Sequence, residues 1–213
     1  MYIVKIGGSL MYDCEDLINT LKNYCSKSNK KIVIIPGGGR FADIVRELYK
    51  LKNLDDIIAH KLSTLSTDIY GEYISYIGDI PKSDNLHDTK NILKYNNIVV
   101  LLPSKIILGT DELPNNWNIT SDSFAGYIGK LLKVDKLIIA TDVDGIYDKY
   151  PEGKILYTIS VKSIKGFTSI DEYLPKLLIK HNIECYVVNG KYPKRVISIL
   201  EGRKDIYTKI VLN

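Results

Sequence analysis

A lysine two residues ahead of paired glycines, Lys5-Ile6-Gly7-Gly8-Ser9, is a combination that can hold phosphate. Glycine lets backbone N–H groups approach an anion closely, and the N-terminus of a following helix adds a favourable dipole. Pro36-Gly37-Gly38-Gly39-Arg40 offers the same kind of turn further along. Two such turns suit two phosphate groups, although either alone is also plain turn chemistry. Neither has the G-x-x-x-x-G-K-[ST] spacing of a P-loop, and no G-x-G-x-x-G precedes a helix. Walker-type NTPase and ordinary dinucleotide-binding readings therefore lose ground. Lys5 lies in a short apolar run, so it either faces the loop's ligand or reaches out to water. Asp122 falls in the first turn of a helix, where a carboxylate either compensates the dipole or serves a site. Asp142 and Asp144 are turn formers or ligand contacts on the same terms.

These residues need elements to hold them. Residues 2–6, 32–35, 98–102, 137–140, 186–188 and 209–212 read as strands, and the unbroken β-branched run at 32–35 suits a parallel sheet covered on both faces. Asp13 or Glu15 is placed to open a helix over roughly 15–28. Further helices are expected from about 41 to 50 and 193 to 201. From His60 to Ile77, Leu62, Leu65, Ile69 and Tyr73 recur at 3–4-residue spacing, so another helix is expected. Thr120 or Ser121 can cap a helix with Phe124, Ile128, Leu131 and Leu132 on one side. Strands alternating with helices predict a layered α/β fold, whose ligands bind at the carboxyl ends of the strands.

Composition narrows the function. The 213 residues carry 29 Lys+Arg against 25 Asp+Glu, a net +4 spread along the chain, with 45% hydrophobic and 25% charged residues. That is an ordinary globular mixture, without the basic block of a nucleic-acid binder or the apolar run of a membrane span. The first residues read as a strand rather than a signal peptide. Cys14, Cys25 and Cys185 form no CxxC and read as reduced structural thiols of a cytoplasmic protein. His60, His87 and His181 have no metal-ligand spacing.

Lys5-x-Gly7-Gly8-Ser9, Gly37-Gly38-Gly39, Thr120-Ser121-Asp122 followed by Ala125, and Thr141-Asp142-Val143-Asp144-Gly145-Ile146-Tyr147 together resemble the motifs of the amino acid kinase family, in the family's order and over nearly the whole chain. The resemblance implies a three-layer αβα sandwich around a mostly parallel central sheet. It implies one domain over 1–213, with an acceptor-binding lobe at about 1–119 and a nucleotide-binding lobe at about 120–213. It implies phosphoryl transfer from ATP with Mg²⁺, which is held by phosphate oxygens and water with no side chain assigned to it, and a homo-oligomer.

By the same resemblance Lys5 contacts the transferring group and Asp122 orients the lysines. The second family lysine falls in Asn189-Gly190-Lys191-Tyr192-Pro193-Lys194, where Lys194 is the best match and Lys191 a rival. Gly7, Gly8, Ser9, Thr141, Asp142, Val143, Asp144, Gly145 and Tyr147 are expected around the nucleotide. Gly38, Gly39, Arg40, His60, Thr120 and Ser121 are expected around the acceptor. Within the family, Pro36 to Arg46, His60 and the stretch from Leu113-Pro114 through Trp117 to Ser123 resemble an archaeal branch. That branch phosphorylates an aminomethylfuran phosphate monoester to the diphosphate during methanofuran biosynthesis. Such an acceptor has a second pKa of about 6, is mostly a dianion at neutral pH, and needs no general base. Asp43 and Asp68 are candidates for its amine, and Trp117 either anchors its loop or stacks on the ring. Isopentenyl phosphate kinases have a histidine where Pro36 stands, which counts against a prenyl phosphate. The alternatives are a uridylate, isopentenyl phosphate or acetylglutamate kinase, or a nucleotide-binding regulatory or storage subunit without turnover.

Overall fold

β-Branched runs covered on both faces become central strands, and amphipathic segments between them become the covering helices. The computed structural model describes residues 1–149, 152–165 and 169–212. Their first half forms β1 (Tyr2–Ile6), α1 (Glu15–Lys27), β2 (Ile32–Pro36), α2 (Gly39–Lys52), α3 (Asp56–Gly78), β3 (Lys82–Ser83), α4 (Leu86–Tyr95), β4 (Ile98–Leu101) and α5 (Ser104–Leu108). The second half forms α6 (Ser121–Leu132), β5 (Lys136–Thr141), β6 (Thr158–Ser160), α7 (Leu174–His181), β7 (Glu184–Asn189), α8 (Pro193–Glu201) and β8 (Thr208–Val211).

One sheet runs β3-β4-β2-β1-β5-β7-β8-β6. The β7–β8 pair is antiparallel and the other pairs are parallel. Side chains alternate between its two faces. Ile3, Val33 and Ile35 pack toward Phe124 and Ile128 of α6 and Leu174 of α7. Val4, Ile6, Ile32 and Ile34 pack toward Leu17 of α1, Tyr70 of α3 and Val196 of α8. Helices thus cover both faces, giving three layers. Period two also puts Lys5 on the Ile3 face, beneath the start of α6. The chain extends the sheet to one side of β1 through β2 and to the other through β5. The loops leaving β1, β2 and β5 therefore meet at the carboxyl edge, where such sheets bind ligands.

The strands expected from the sequence are present with ends shifted by a residue or two. Of the two residues placed to open the first helix, Glu15 is the first of α1; Cys14 occupies the N-cap without a side-chain cap, and Asp13 pairs with Lys191 at 2.7 Å. Helix α3 forms, but its apolar face is turned outward. Leu65 is exposed, Ile69 is 50% exposed and Tyr73 44%. The inward face instead carries His60, Thr64, Thr67, Tyr70, Gly71 and Ile74.

Candidate active site

Lys5 Nζ lies 2.7 Å from Asp122 Oδ1, and each side chain is only 9% exposed. The lysine therefore does not reach out to water. Thr120 caps α6 by accepting the Asp122 N–H at 3.3 Å, which sets the helix start over the end of β1. A buried ion pair gains little stability over apolar packing, because desolvation offsets the Coulomb attraction. Its presence at a sheet edge fits a role in holding an ammonium for a ligand.

The two glycine turns touch backbone to backbone. A Cβ added at Gly8 would lie 2.5 Å from Gly39 N, and one at Gly37 would lie 2.6 Å from Gly8 N. Only glycine permits this approach. Gly39 also has φ of +55° at the first residue of α2. Around this contact opens a pocket of about 380 Å³ lined by Lys5, Gly8, Ser9, Gly38, Gly39, Arg40, Arg46, Thr120 and Ser121, among others. Arg40 stands mostly exposed, 3.7 Å from Asp43, while Arg46 donates to the same carboxylate at 2.6 Å.

The loop leaving β5 sits across the first turn. Gly7 N–H donates to Ala140 O at 2.8 Å, and the Ser9 and Thr141 hydroxyls are 3.5 Å apart. Asp144 is held by Arg195 at 2.6 Å and by the Asn189 amide at 3.1 Å. Asn189 also donates to Asp142 O at 3.2 Å. Gly145 lies against Thr208, whose hydroxyl accepts the Ile146 N–H at 2.8 Å. Val143 belongs to the same loop, and Tyr147 bridges to Ile155 beyond it. Lys194 stands exposed in the first turn of α8, and Lys191 is drawn to Asp13. The structure thus gathers Lys5, Asp122, the two glycine turns, Thr120 and Ser121, with Thr141 adjoining. Neither Lys191 nor Lys194 lines this pocket.

His60 lines a second, smaller cavity of about 50 Å³ with Ser63, Thr64, Thr67, Trp117 and Phe124. It shares Gly38, Ala42, Arg46, Thr120 and Ser121 with the larger pocket. Burial lowers the His60 pKa from the usual histidine range, against a hydrogen bond to the Asn116 backbone that raises it. Trp117 packs edge-on against Tyr49 at 5.1 Å between ring centroids while also lining the cavity.

Asp171 and Arg46 are the site residues that sequence reasoning missed. Asp171 is buried and accepts from both the N–H and hydroxyl of Thr120, at 2.8 and 2.9 Å. It accepts likewise from Ser123, at 3.0 and 2.6 Å, and from the N–H groups of Tyr173 and Leu174, at 3.1 and 2.8 Å. Its own N–H donates to Asp122 Oδ2 at 3.2 Å. Burial, then the Asp122 charge, pushes its carboxyl above the usual carboxylate range. Nothing local in residues 169–173 signals this, since most of its partners come from the start of α6. Arg46 stands about two turns along α2 from the glycines, whereas Arg40 is adjacent to them.

The profile of the amino acid kinase family matches residues 1–189. A [5-(aminomethyl)furan-3-yl]methyl phosphate kinase of Methanocaldococcus jannaschii is 54% identical over 211 residues, covering 99% of this chain and 98% of the relative. A uridylate kinase of Methanobrevibacter smithii is 25% identical, covering 98% of each. Among solved structures, the UMP kinase of Bacillus anthracis superposes with a TM-score of 0.76 at 16% identity, over 98% of this chain and 94% of that one.

Proposed function

The chain belongs to the amino acid kinase family, and from that premise we propose that it transfers the γ-phosphoryl group of ATP to [5-(aminomethyl)furan-3-yl]methyl phosphate, giving the diphosphate in methanofuran biosynthesis. The observation that carries the kinase reading is the buried Lys5–Asp122 pair in a pocket walled by both glycine turns. The acceptor follows from the relative that shares 54% of its residues over nearly its full length.

In this reading an oxygen of the acceptor's phosphate dianion attacks the γ-phosphorus. A new P–O bond forms, the bond from that phosphorus to the β–γ bridging oxygen breaks, and ADP leaves with the electron pair. The nucleophile is already ionised, so no proton needs removing. What remains for the protein is positioning and charge neutralisation. Lys5 supplies positive charge beside the transferring group, and Asp122 keeps its ammonium from swinging away. Gly7, Gly8 and Ser9, with Thr141 to Gly145 and Tyr147, receive the nucleotide. Gly38, Gly39, Arg40, Thr120 and Ser121 receive the acceptor, His60 lies at its far end, and Arg46 joins them as a second guanidinium. Lys194 enters as the second phosphate lysine.

Asp43, Asp122 and Asp144 are each engaged by an arginine or lysine. Among the described residues no group of three or more His, Cys, Asp or Glu side chains is placed to hold a metal. This donor set fits a Mg²⁺ carried by the nucleotide's own phosphate oxygens and water, where it neutralises charge between the phosphates. No helix among the described residues is long and apolar enough to cross a membrane. Three buried, unpaired cysteines suit the reducing cytoplasm. The outward apolar stripe of α3, together with exposed Ile44, Leu48 and Leu51 on α2, supports a homo-oligomer.

The test is ADP release with Mg²⁺–ATP and the furan phosphate, beside its unphosphorylated alcohol, UMP and isopentenyl phosphate. Turnover confined to the furan phosphate, with a diphosphate product, is the expected result. Activity on another acceptor alone would overturn the acceptor and keep the chemistry. Lys5→Met is combined with Asp122→Asn so that no bare carboxylate stays buried. The pair is expected to lower kcat by about 10²–10³-fold.

A further inference from the structure

The inward face of α3 is polar where a helix ordinarily presents apolar side chains to a core. His60, Ser63, Thr64 and Thr67 stand at i, i+3, i+4 and i+7, and all four line the smaller cavity. His60 is 5% exposed, and Thr64 and Thr67 are buried. His60 Nε2 and Ser63 Oγ are buried without a hydrogen-bond partner. Buried polar atoms are normally paired, so two orphans on one wall of the cavity point to a polar group that belongs there.

The lining selects that group. His60 Nε2 has no partner, and burial disfavours the charged ring, so the neutral imidazole can present the Nε2 lone pair to the cavity. The Thr64 hydroxyl donates to His60 O at 2.8 Å, and the Thr67 hydroxyl donates to Thr64 O at 2.6 Å. Each has used its one hydrogen, so both can only accept from a ligand. On this wall Thr64 and Thr67 offer acceptors, while the unpartnered Ser63 hydroxyl can either donate or accept. The one charged residue lining the cavity is Arg46, and it is paired with Asp43. Phe124, edge-on to His60 at 6.0 Å between centroids, and Trp117 supply aromatic surface for a flat ring.

We propose that this cavity receives the amine-bearing, heteroaromatic end of the acceptor, with His60 Nε2 accepting an N–H from its protonated primary amine. The inference rests on the acceptor assigned above and names the residue that reads its amine. It displaces Asp43 and Asp68 from that role. Asp43 is tied to two arginines, and Asp68 accepts the Ser104 N–H at 3.0 Å and its hydroxyl at the start of α5. Because the cavity and the larger pocket share Gly38, Ala42, Arg46, Thr120 and Ser121, one molecule with an amine at one end and a phosphate at the other spans both.

The experiment compares two acceptors, [5-(aminomethyl)furan-3-yl]methyl phosphate and (5-methylfuran-3-yl)methyl phosphate, in wild type, His60→Leu, His60→Gln and Ser63→Ala. Wild type is expected to favour the amine in kcat/KM by about tenfold or more, the weight of one hydrogen bond to a charged group. His60→Leu is expected to erase that preference, raising KM for the amine substrate by about tenfold more than KM for the methyl analogue. His60→Gln, whose carbonyl restores an acceptor, regains part of it, and Ser63→Ala loses a smaller part. Equal use of both acceptors by wild type, or equal losses on both in His60→Leu, overturns the proposal. Ligand-observed NMR with furfurylamine and 2-methylfuran reads the cavity without turnover. His60-dependent binding of the amine alone upholds the subsite even if the furan phosphate is not a substrate, and indifference to the amine overturns it.

Discussion

Asp171 shows how a side chain outside every recognisable motif can govern the ones inside. It fastens the first turns of α6 and α7 together and carries Asp122 on its own N–H. Asp171→Ala would leave four backbone N–H groups without this partner, two of them in buried bonds and two in part-buried ones, an expected loss of about 3 kcal/mol in urea unfolding. Asp171→Asn keeps the size but presents an amide N–H₂ to donors. Its kcat is expected to fall about ten- to a hundredfold as Asp122 and Lys5 shift, with unfolding midpoints reporting the structural part. His60 sets a second expectation. Its folded pKa lies below its unfolded value, so between the two the unfolded chain binds more protons. Its contribution to stability is complete above about pH 6.5 and is lost as pH falls toward the folded pKa. Urea midpoints should therefore drop more on acidification in wild type than in His60→Gln. Lys5 and Asp122 were legible because short motifs encode them. Asp171 was not, because its meaning lies in partners far away in sequence.

Helix α3 shows that periodicity reveals a helix without saying which face is buried. Leu65, Ile69 and Tyr73 recur at the right spacing, yet the fold turns them out and turns His60, Thr64 and Thr67 in. The polar stripe was equally visible, but an apolar stripe is the usual mark of a core. Helices α4 and α7 went unread for a related reason. The first depends on an Asn85 cap and buries only Thr89 and Leu93. The second is short and begins with a proline in its first turn. If the outward stripe is where copies meet, Ile69→Glu should lower the mass measured by light scattering while leaving the circular dichroism spectrum unchanged. An unchanged mass would remove α3 from the interface.

At the scale of the whole molecule the sheet order was not legible, but its consequence was: the polar and glycine clusters gather where strands end. Strands β1, β2 and β5 lie side by side in register, Lys5 beside Ile35 and Ile139, so their loops leave at one level. Gly8→Ala places a methyl against Gly39 N and should force the turns apart. The expected cost is about 1–3 kcal/mol of stability, together with a steep loss of kcat. Gly202→Ala, where nothing lies within 4 Å, provides a control for packing, its cost arising from backbone strain at a φ of +72°. The contact between Gly8, Gly37 and Gly39 also bears on descent. Two loops that meet through bare main chain have a separation set by atomic radii, which no drift in neighbouring side chains can retune. The distance between donor and acceptor phosphates can then stay constant while the cavity under α3 is rebuilt, so a lineage can exchange one acceptor for another without reinventing the transfer.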